Sequence, residues 1–380
     1  MKYRNFGKLS WRPSALGFGA MRLPIMDKDS SKINEPEAIE MIRYAIDQGL
    51  NYIDTAYPYH QGQSELIVGK ALQNGYREKI KIATKLPVWL VKKPEDFDRF
   101  LNEQLEKLQT DKIDFYLLHG LNKERWAHIH KLGVLSWSEK AIADNRIRHL
   151  GFSFHDNYDV FQKIIDAYDK WAFCQIQYNF LDVNFQAGVK GLKYAYKKGL
   201  AVVVMGPLKG GKLANPPKGI NNLWQKERKY RTPVDWALQW IWNQPEVSLV
   251  LSGMSNLKQV KENIESANRS SVNSLSKEEL SLIEKVREKY KELQPIPCTT
   301  CRYCLPCSQG VDIPKIFEIY NSMGVFYSKK KAKENYRLLK ESQKVKNCIE
   351  CGKCESLCPQ NIKIIDWLKK VENALSNFID

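Results

Sequence analysis

"PEAIEMIRYAIDQGLNYIDTA", residues 36–56, holds two kinds of segment in a row. The first fifteen residues carry apolar side chains at helical spacing, with Pro36 a good first helical residue and Gly49 a good stop. "NYIDTA" (51–56) is then a short β-branched strand. The same alternation runs through the first 290 residues. Further candidate strands are "SALGFGA" (14–20), "KIKIATKL" (79–86), "IDFYLLHG" (113–120) and "IRHLGFSF" (147–154). They continue with "AFCQIQYN" (172–179), "LAVVVMGPL" (200–208) and "VSLVLSGM" (247–254), eight in all. Eight βα units over about 250 residues read as a (β/α)8 TIM barrel. A doubly wound sheet is the alternative, but it has fewer strands and a G-x-G-x-x-G after the first. "GFGAMR" (17–22) is not that motif. A helix over 276–293 closes this part, and "QPIP" (294–297) marks a boundary. The expected domains are therefore the barrel, 1–293, and a small α-helical domain, 294–380.

The chain of 380 residues is 43% apolar, enough for a barrel-sized core. Its longest apolar runs, such as "LAVVVM" (200–205), stop far short of the roughly 20 residues that span a bilayer. "MKYRNFGKLSW" at the start has no apolar signal segment. A cytoplasmic protein with no membrane span is expected. The formal charge is +16, a surface suited to an acidic partner or simply to solvation. The densest basic stretch, "SKKKAKENYRLLKESQKVK" (328–346), reads as a helix with one buried stripe of Tyr336, Leu338 and Leu339. It has no series of stacking aromatics, which argues against nucleic acid as the partner.

Cysteine usage divides sharply. Cys174 stands alone in an apolar run and reads as a buried strand residue. The other eight fall in two groups: Cys298, Cys301, Cys304 and Cys307 in "CTTCRYCLPC", and Cys348, Cys351, Cys354 and Cys358 in "NCIECGKCESLCPQN" (347–361). Tetrahedral zinc is the rival for paired C-x2-C groups. Two sets of four at three-residue steps point instead to two 4Fe-4S clusters. With eight thiolates holding two clusters, the net charge falls to about +12. The spacing resembles that of two-cluster bacterial ferredoxins, in which the fourth cysteine of each run ligates the other cluster. That resemblance implies one cluster on Cys298, Cys301, Cys304 and Cys358, and a second on Cys348, Cys351, Cys354 and Cys307. Ser308 departs from the pattern, standing where a proline is usual, and about 40 residues separate the runs. "GVDIPKIFEIYN" (310–321) and "NIKIIDWLKKVENAL" (361–375) follow the two runs in parallel, as in an internal repeat.

In a barrel the C-terminal strand ends carry the chemistry. Strand 2 ends in Asp54 and its loop brings Tyr59; strand 3 ends in Lys85; strand 4 ends in His119. Such residues at buried strand ends are costly unless they pair. Asp54, Tyr59, Lys85 and His119 match, in order and spacing, the tetrad of the aldo-keto reductase family, and the match runs over residues 1–270. With its cysteine tail the chain resembles the members that carry a C-terminal ferredoxin-like domain. The residue types suit carbonyl reduction, in which carbon takes hydride and oxygen takes a proton. Tyr59 is the expected general acid and His119 the orienter of the carbonyl. Lys85, kept charged by Asp54, is expected to lower the Tyr59 pKa.

The resemblance also implies a nucleotide site. Ser153 and Gln175 would hold the nicotinamide carboxamide. Phe154 then stands where the family often has Asn, and His155 either supplies the missing polar contact or faces solvent. Met205 stands where an aromatic residue usually stacks on the nicotinamide. Backbone amides of "MGPLKGGKL" (205–213), at Gly206 and Leu208, suit the pyrophosphate, although such glycines also simply make turns. Asn263 falls at the adenine position. The basic clamp for a 2′-phosphate falls at Gly253 and Gln259, which lack charge, so NADP and NAD both stay open, with Lys258 and Lys261 as substitutes. Trp89 and Trp126 either line a substrate pocket or pack elsewhere.

Hydride transfer moves two electrons and a cluster moves one, so coupling the halves needs a go-between: a flavin, FMN or FAD, or a substrate with a stabilised radical. The expected function is an oxidoreductase in which barrel and clusters exchange electrons, with an acidic ferredoxin or flavodoxin as external carrier. Exposed clusters suggest an anaerobe. The alternatives are a carbonyl reductase with structural clusters and a non-enzymatic electron-transfer subunit.

Overall fold

The computed structural model describes residues 1–225, 231–298, 302, 304–323, 325–358 and 360–376. By its internal contacts the chain forms two compact units, Met1–Gly210 with Val234–Ser276, and Gly211–Pro233 with Lys277–Asp380.

The first unit holds β1 (Leu16–Gly19), β2 (Tyr52–Asp54), β3 (Lys81–Leu86), β4 (Ile113–Leu121), β5 (Ile147–Phe154), β6 (Phe173–Gln177), β7 (Ala201–Met205) and β8 (Leu249–Gly253). All eight expected strands are present, and they close in chain order into a parallel barrel, β1 pairing with β8. The helix Glu35–Asp47 shows why the connections are crossovers. Ala38, Met41, Ile42, Ala45 and Ile46 make one buried face. Gly49, at φ 91°, then ends the helix, and the Gly49 and Leu50 amides bond back to Ile46 and Ala45.

The N-terminal segment plugs the barrel. Phe6 is fully buried, its ring 5.0–6.3 Å from those of Trp11, Tyr52, Phe115 and Phe173. Gly7, at φ 57°, presses so closely on β7 that a Cβ would lie 2.5 Å from the Ala201 nitrogen. With one end filled, a ligand has the C-terminal mouth. Cys174 lies in β6, fully buried as expected, and burial pushes its thiol up.

The second unit has a core of its own. Val311, Ile313 and Phe317 follow the first cysteine run, and Ile362, Ile364 and Leu368 follow the second at the same relative positions; all are buried together. The helices Ile313–Asn321 and Ile364–Leu375 are thus the two halves of the internal repeat. Asn321 clamps the entry to the first run: its amide donates to the Ile296 carbonyl at 2.7 Å and accepts the Ile296 N–H at 3.0 Å. The basic stretch departs from expectation. Its helix covers only Lys329–Arg337, with Ala332 and Tyr336 buried. Leu338 caps that helix and is 81% exposed, because the turn ends before a third stripe position forms. Among the described residues, no helix is long and apolar enough to cross a membrane.

Candidate active site and cysteine cavities

Three adjacent strands bring Asp54, Lys85 and His119 to one end of the barrel, and the turn Tyr59–Gly62 brings Tyr59. Lys85 is fully buried. Its ammonium donates to Asp54 Oδ1 at 2.6 Å, to the Thr55 carbonyl at 2.7 Å and to Tyr59 Oη at 3.4 Å. Three acceptors match the three protons of an ammonium. Burial alone would lower the Lys85 pKa; Asp54 and Tyr59 outweigh it, so Lys85 is held above its ordinary value and stays charged. Burial raises the Asp54 carboxyl above its ordinary value, and the charge of Lys85 at 2.6 Å only partly opposes that. Burial, then the charge of Lys85, holds His119 well below its ordinary value, so the imidazole is neutral. Its Nδ1 is buried with no partner among the described residues. The His119 and Tyr59 rings meet edge to face at 6.0 Å.

The expected lowering of Tyr59 is not what the geometry gives. Burial raises its phenol, and the pull of Lys85 only partly opposes that. The ammonium is held more closely by Asp54 and Thr55 than by Tyr59, which explains the weak pull. The mouth therefore holds a protonated phenol and a neutral imidazole side by side, a proton donor and a hydrogen-bonding partner for one oxygen.

Ser153 and Gln175 are paired across β5 and β6 and both are buried. Ser153 Oγ accepts the Gly120 N–H at 2.7 Å, leaving its own proton to give. Gln175 Nε2 reaches only the Met205 sulfur, at 3.7 Å, and its Oε1 is buried without a partner among the described residues. Those unmet groups fit a carboxamide, which both donates and accepts. Gly206 follows β7 at φ 64°, and Lys209 in the same turn is bound by both oxygens of Asp182 at 2.6 and 2.7 Å. Leu208 is half-buried there. At the β8 end, Asn263 is buried and donates to Ser252 Oγ at 3.0 Å. Gln259 accepts the Ser255 N–H at 2.8 Å, closing the start of the helix Leu257–Asn268. Lys258 pairs with Glu262 at 3.8 Å and Lys261 lies over the Tyr44 ring. His155 is exposed, its Nδ1 3.3 Å from Gln186 Nε2.

The two tryptophans separate. Trp89 lies with its ring 5.0 Å from His119, at the mouth. Trp126 packs on His130 and Trp171 instead. Two cations escaped the sequence argument. Arg22 ends the "GFGAMR" stretch; its stem lies where a Cβ on Gly253 would meet it at 3.2 Å, and its Nη2 is 3.3 Å from the same point on Gly210. Arg125 lies over Trp89, 5.1 Å from the ring centroid.

The cysteines line two cavities, with Cys304 on both. One is lined by Cys304, Cys307, Cys348, Cys351 and Cys354. The second is lined by Cys298, Cys304 and Cys358. Cys301 lies outside the described residues, as does Pro359.

Comparison with known proteins agrees with this geometry. The family model "Aldo/keto reductase family" matches residues 15–288, and "4Fe-4S dicluster domain" matches 297–362. "Protein tas" of Escherichia coli (strain K12) is 27% identical over 353 residues, covering 76% of this chain and 99% of that protein. "L-galactose dehydrogenase" of Arabidopsis thaliana is 27% identical, covering 77% and 96%. Among solved structures, the holo form of aldo-keto reductase AKR11C1 from Bacillus halodurans superposes with a TM-score of 0.63 at 27% identity, covering 75% of this chain and 96% of that one. A Klebsiella pneumoniae aldo-keto reductase, solved in complex with NADPH, shares the fold at 24% identity and a TM-score of 0.62, covering 75% and 95%. The match over 15–288 makes the chain a member of the aldo/keto reductase family, an oxidoreductase whose sequence continues after the barrel into a 4Fe-4S domain.

Proposed function

We propose that the barrel transfers hydride and proton at a carbonyl group with NADP(H) or NAD(H), and that two 4Fe-4S clusters exchange single electrons with that site. The observation that carries the barrel half is the buried Lys85, held between Asp54 and Tyr59 beside a neutral His119. The nicotinamide supplies the hydride when bound. Ser153 and the unpartnered Oε1 of Gln175 hold its carboxamide, with Met205 beside them. His119 orients the carbonyl oxygen, and Tyr59 Oη gives that oxygen its proton. Lys85, kept charged by Asp54, stabilises the phenolate left behind. Gln259 is engaged in closing its helix and Gly253 has no side chain, so Arg22 is the cation we assign to the nucleotide phosphates.

In the tail we assign one cluster to Cys298, Cys301, Cys304 and Cys358 and the other to Cys348, Cys351, Cys354 and Cys307. The ferredoxin-like spacing supports this, and so does the lining of the two cavities. The functional boundary lies between 293 and 294. Because hydride carries two electrons, the relay needs FMN or FAD, or a substrate that tolerates a radical, and its outer end suits an acidic ferredoxin or flavodoxin in an anaerobe's cytoplasm. One observation favours a second reading, clusters as staples: Cys298, Cys304, Cys307, Cys348, Cys354 and Cys358 pack directly on the small core of the second unit.

The test is anaerobic. The clusters are reduced chemically, excess reductant is removed, and NAD⁺ or NADP⁺ is added. Return of the oxidised cluster absorbance with matching NADH or NADPH supports the relay and identifies the nucleotide. Clusters that stay reduced with both leave the staple reading.

A further inference from the structure

We propose that the substrate carries a carboxylate as well as a carbonyl, and that Arg125 reads the carboxylate; this rests on the carbonyl-reducing reading of the barrel mouth. Arg125 lies in the first turn of the helix Lys123–Lys131, where Asn122 accepts its N–H at 2.8 Å. Its guanidinium turns back towards the end of β4. Nη1 donates to the Gly120 carbonyl at 2.9 Å, and the group lies over Trp89, whose ring is the one beside His119. His155 stands close by: a Cβ on Gly120 would lie 2.9 Å from Arg125 Nη1 and 3.7 Å from His155 Cδ2. A guanidinium and an imidazole thus flank the residue next to His119.

The charge on Arg125 is uncompensated. Among the described residues no carboxylate lies within ion-pair distance of it, and its one hydrogen-bond partner is a backbone carbonyl. Two other cations of the mouth are paired, Lys85 with Asp54 and Lys209 with Asp182, and Arg22, beside Gly253 and Gly210, is the one we assign to the nucleotide. A half-buried guanidinium with most of its five donors unused is best met by a planar, two-oxygen anion. A phosphate dianion would call for a second cation. The neighbours here are neutral donors instead: Gln186 Nε2 donates to His155 Nδ1, which leaves the proton of a neutral His155 on Nε2. One negative charge is what this arrangement fits. Trp89 touches both, its ring 5.1 Å from the Arg125 guanidinium and 5.0 Å from the His119 ring, an apolar wall for the part of the substrate that joins carboxylate to carbonyl. The substrate class is therefore an oxo acid, or an aldehyde that bears a carboxylate.

The test compares 4-carboxybenzaldehyde with its methyl ester on the anaerobically purified holoprotein. Binding of each is measured by calorimetry, and kcat/KM of each with NADPH or NADH, for the wild type, Arg125→Gln and Arg125→Lys. The wild type should favour the acid about 10- to 100-fold in both measurements, the scale of a hydrogen bond to a charged group. Arg125→Gln should abolish that ratio, and Arg125→Lys should keep part of it. Equal constants for acid and ester, no binding of either, or a preference that survives Arg125→Gln overturns the proposal. Ester turnover without acid preference leaves the carbonyl-reductase reading standing alone. Acid binding through Arg125 with turnover of neither compound sinks the carbonyl-reductase reading and overturns the oxo-acid assignment with it, leaving only an anion site at Arg125.

Discussion

Lys85 shares its protons among Asp54, Thr55 and Tyr59, and the unequal sharing decides the state of the phenol. In the proposed reduction Tyr59 gives the proton, so its phenol must be protonated. Its pKa lies above the ordinary 10, because burial outweighs Lys85. The rate must therefore fall as pH rises through a value above about 10, and a buried neutral His119 adds no break near 6.5. A pH profile of kcat for reduction should be flat from about 6 to 9; a bell centred near neutrality would contradict the assignment. Tyr59→Phe removes the proton and should lower kcat by about 10²–10⁴-fold while leaving nucleotide binding intact. Asp54, Lys85 and His119 stood out because ionisable residues at buried strand ends are costly unless paired, whereas Tyr59, on the loop after strand 2, joined them through the family resemblance. Arg22 and Arg125 were not legible. A cation on a short turn or in the first turn of a helix reads as solvated surface, and what places these two is the approach of Gly253, Gly210 and Gly120 in space. The direction of the Tyr59 shift was missed for a related reason: residue types name the charges but not how deeply each is buried.

Strands announce themselves by composition, and all eight did. The plug did not, because Phe6 is one aromatic near a terminus and carries no period, although four rings surround it. The helix Lys329–Arg337 ended early for the opposite reason: Leu338 fits a period that the backbone does not continue. In the second unit the decisive element is short. Asn321 satisfies both the N–H and the carbonyl of Ile296, two residues before the first cysteine. Asn321→Ala leaves the buried Ile296 N–H unmet, at about 1–3 kcal/mol, while the Ile296 carbonyl keeps the Cys298 N–H at 2.7 Å. The expected outcome is a lower midpoint for the second unit and faster bleaching of cluster absorbance in air, with barrel circular dichroism unchanged. Bleaching at the wild-type rate would show that the clamp does not hold the cysteine run.

At the scale of the molecule, the chain passes between its two units three times, at 210/211, 233/234 and 276/277. The first two passages matter most. β7 and the turn with Gly206 and Leu208 belong to the first unit, yet Gly211–Pro233, the continuation of that same loop, belongs to the second. Within the second unit this segment is well held. Lys212 lies over Tyr327 at 4.7 Å and Phe326 at 5.5 Å, and Phe326 stacks on Tyr290. The helix Lys218–Trp224 packs on Lys277–Glu292. A segment anchored at one end restricts the loop at its other end, so order in the cysteine unit reaches the residues we assign to the pyrophosphate through the chain itself. If cluster loss loosens the small core on which the cysteines pack, the nucleotide loop loosens with it and must be ordered at the expense of binding. Linkage makes the effect reciprocal: nucleotide should protect the clusters by the same factor by which the clusters strengthen nucleotide binding. Protein stripped of iron under anaerobic chelation should bind NADPH or NADH about 5- to 100-fold more weakly than the holoprotein, the range of ordinary coupling free energies. Saturating nucleotide should slow iron release to the chelator. Equal nucleotide affinity with and without clusters would mean that the loop beyond Gly210 acts only as a tether.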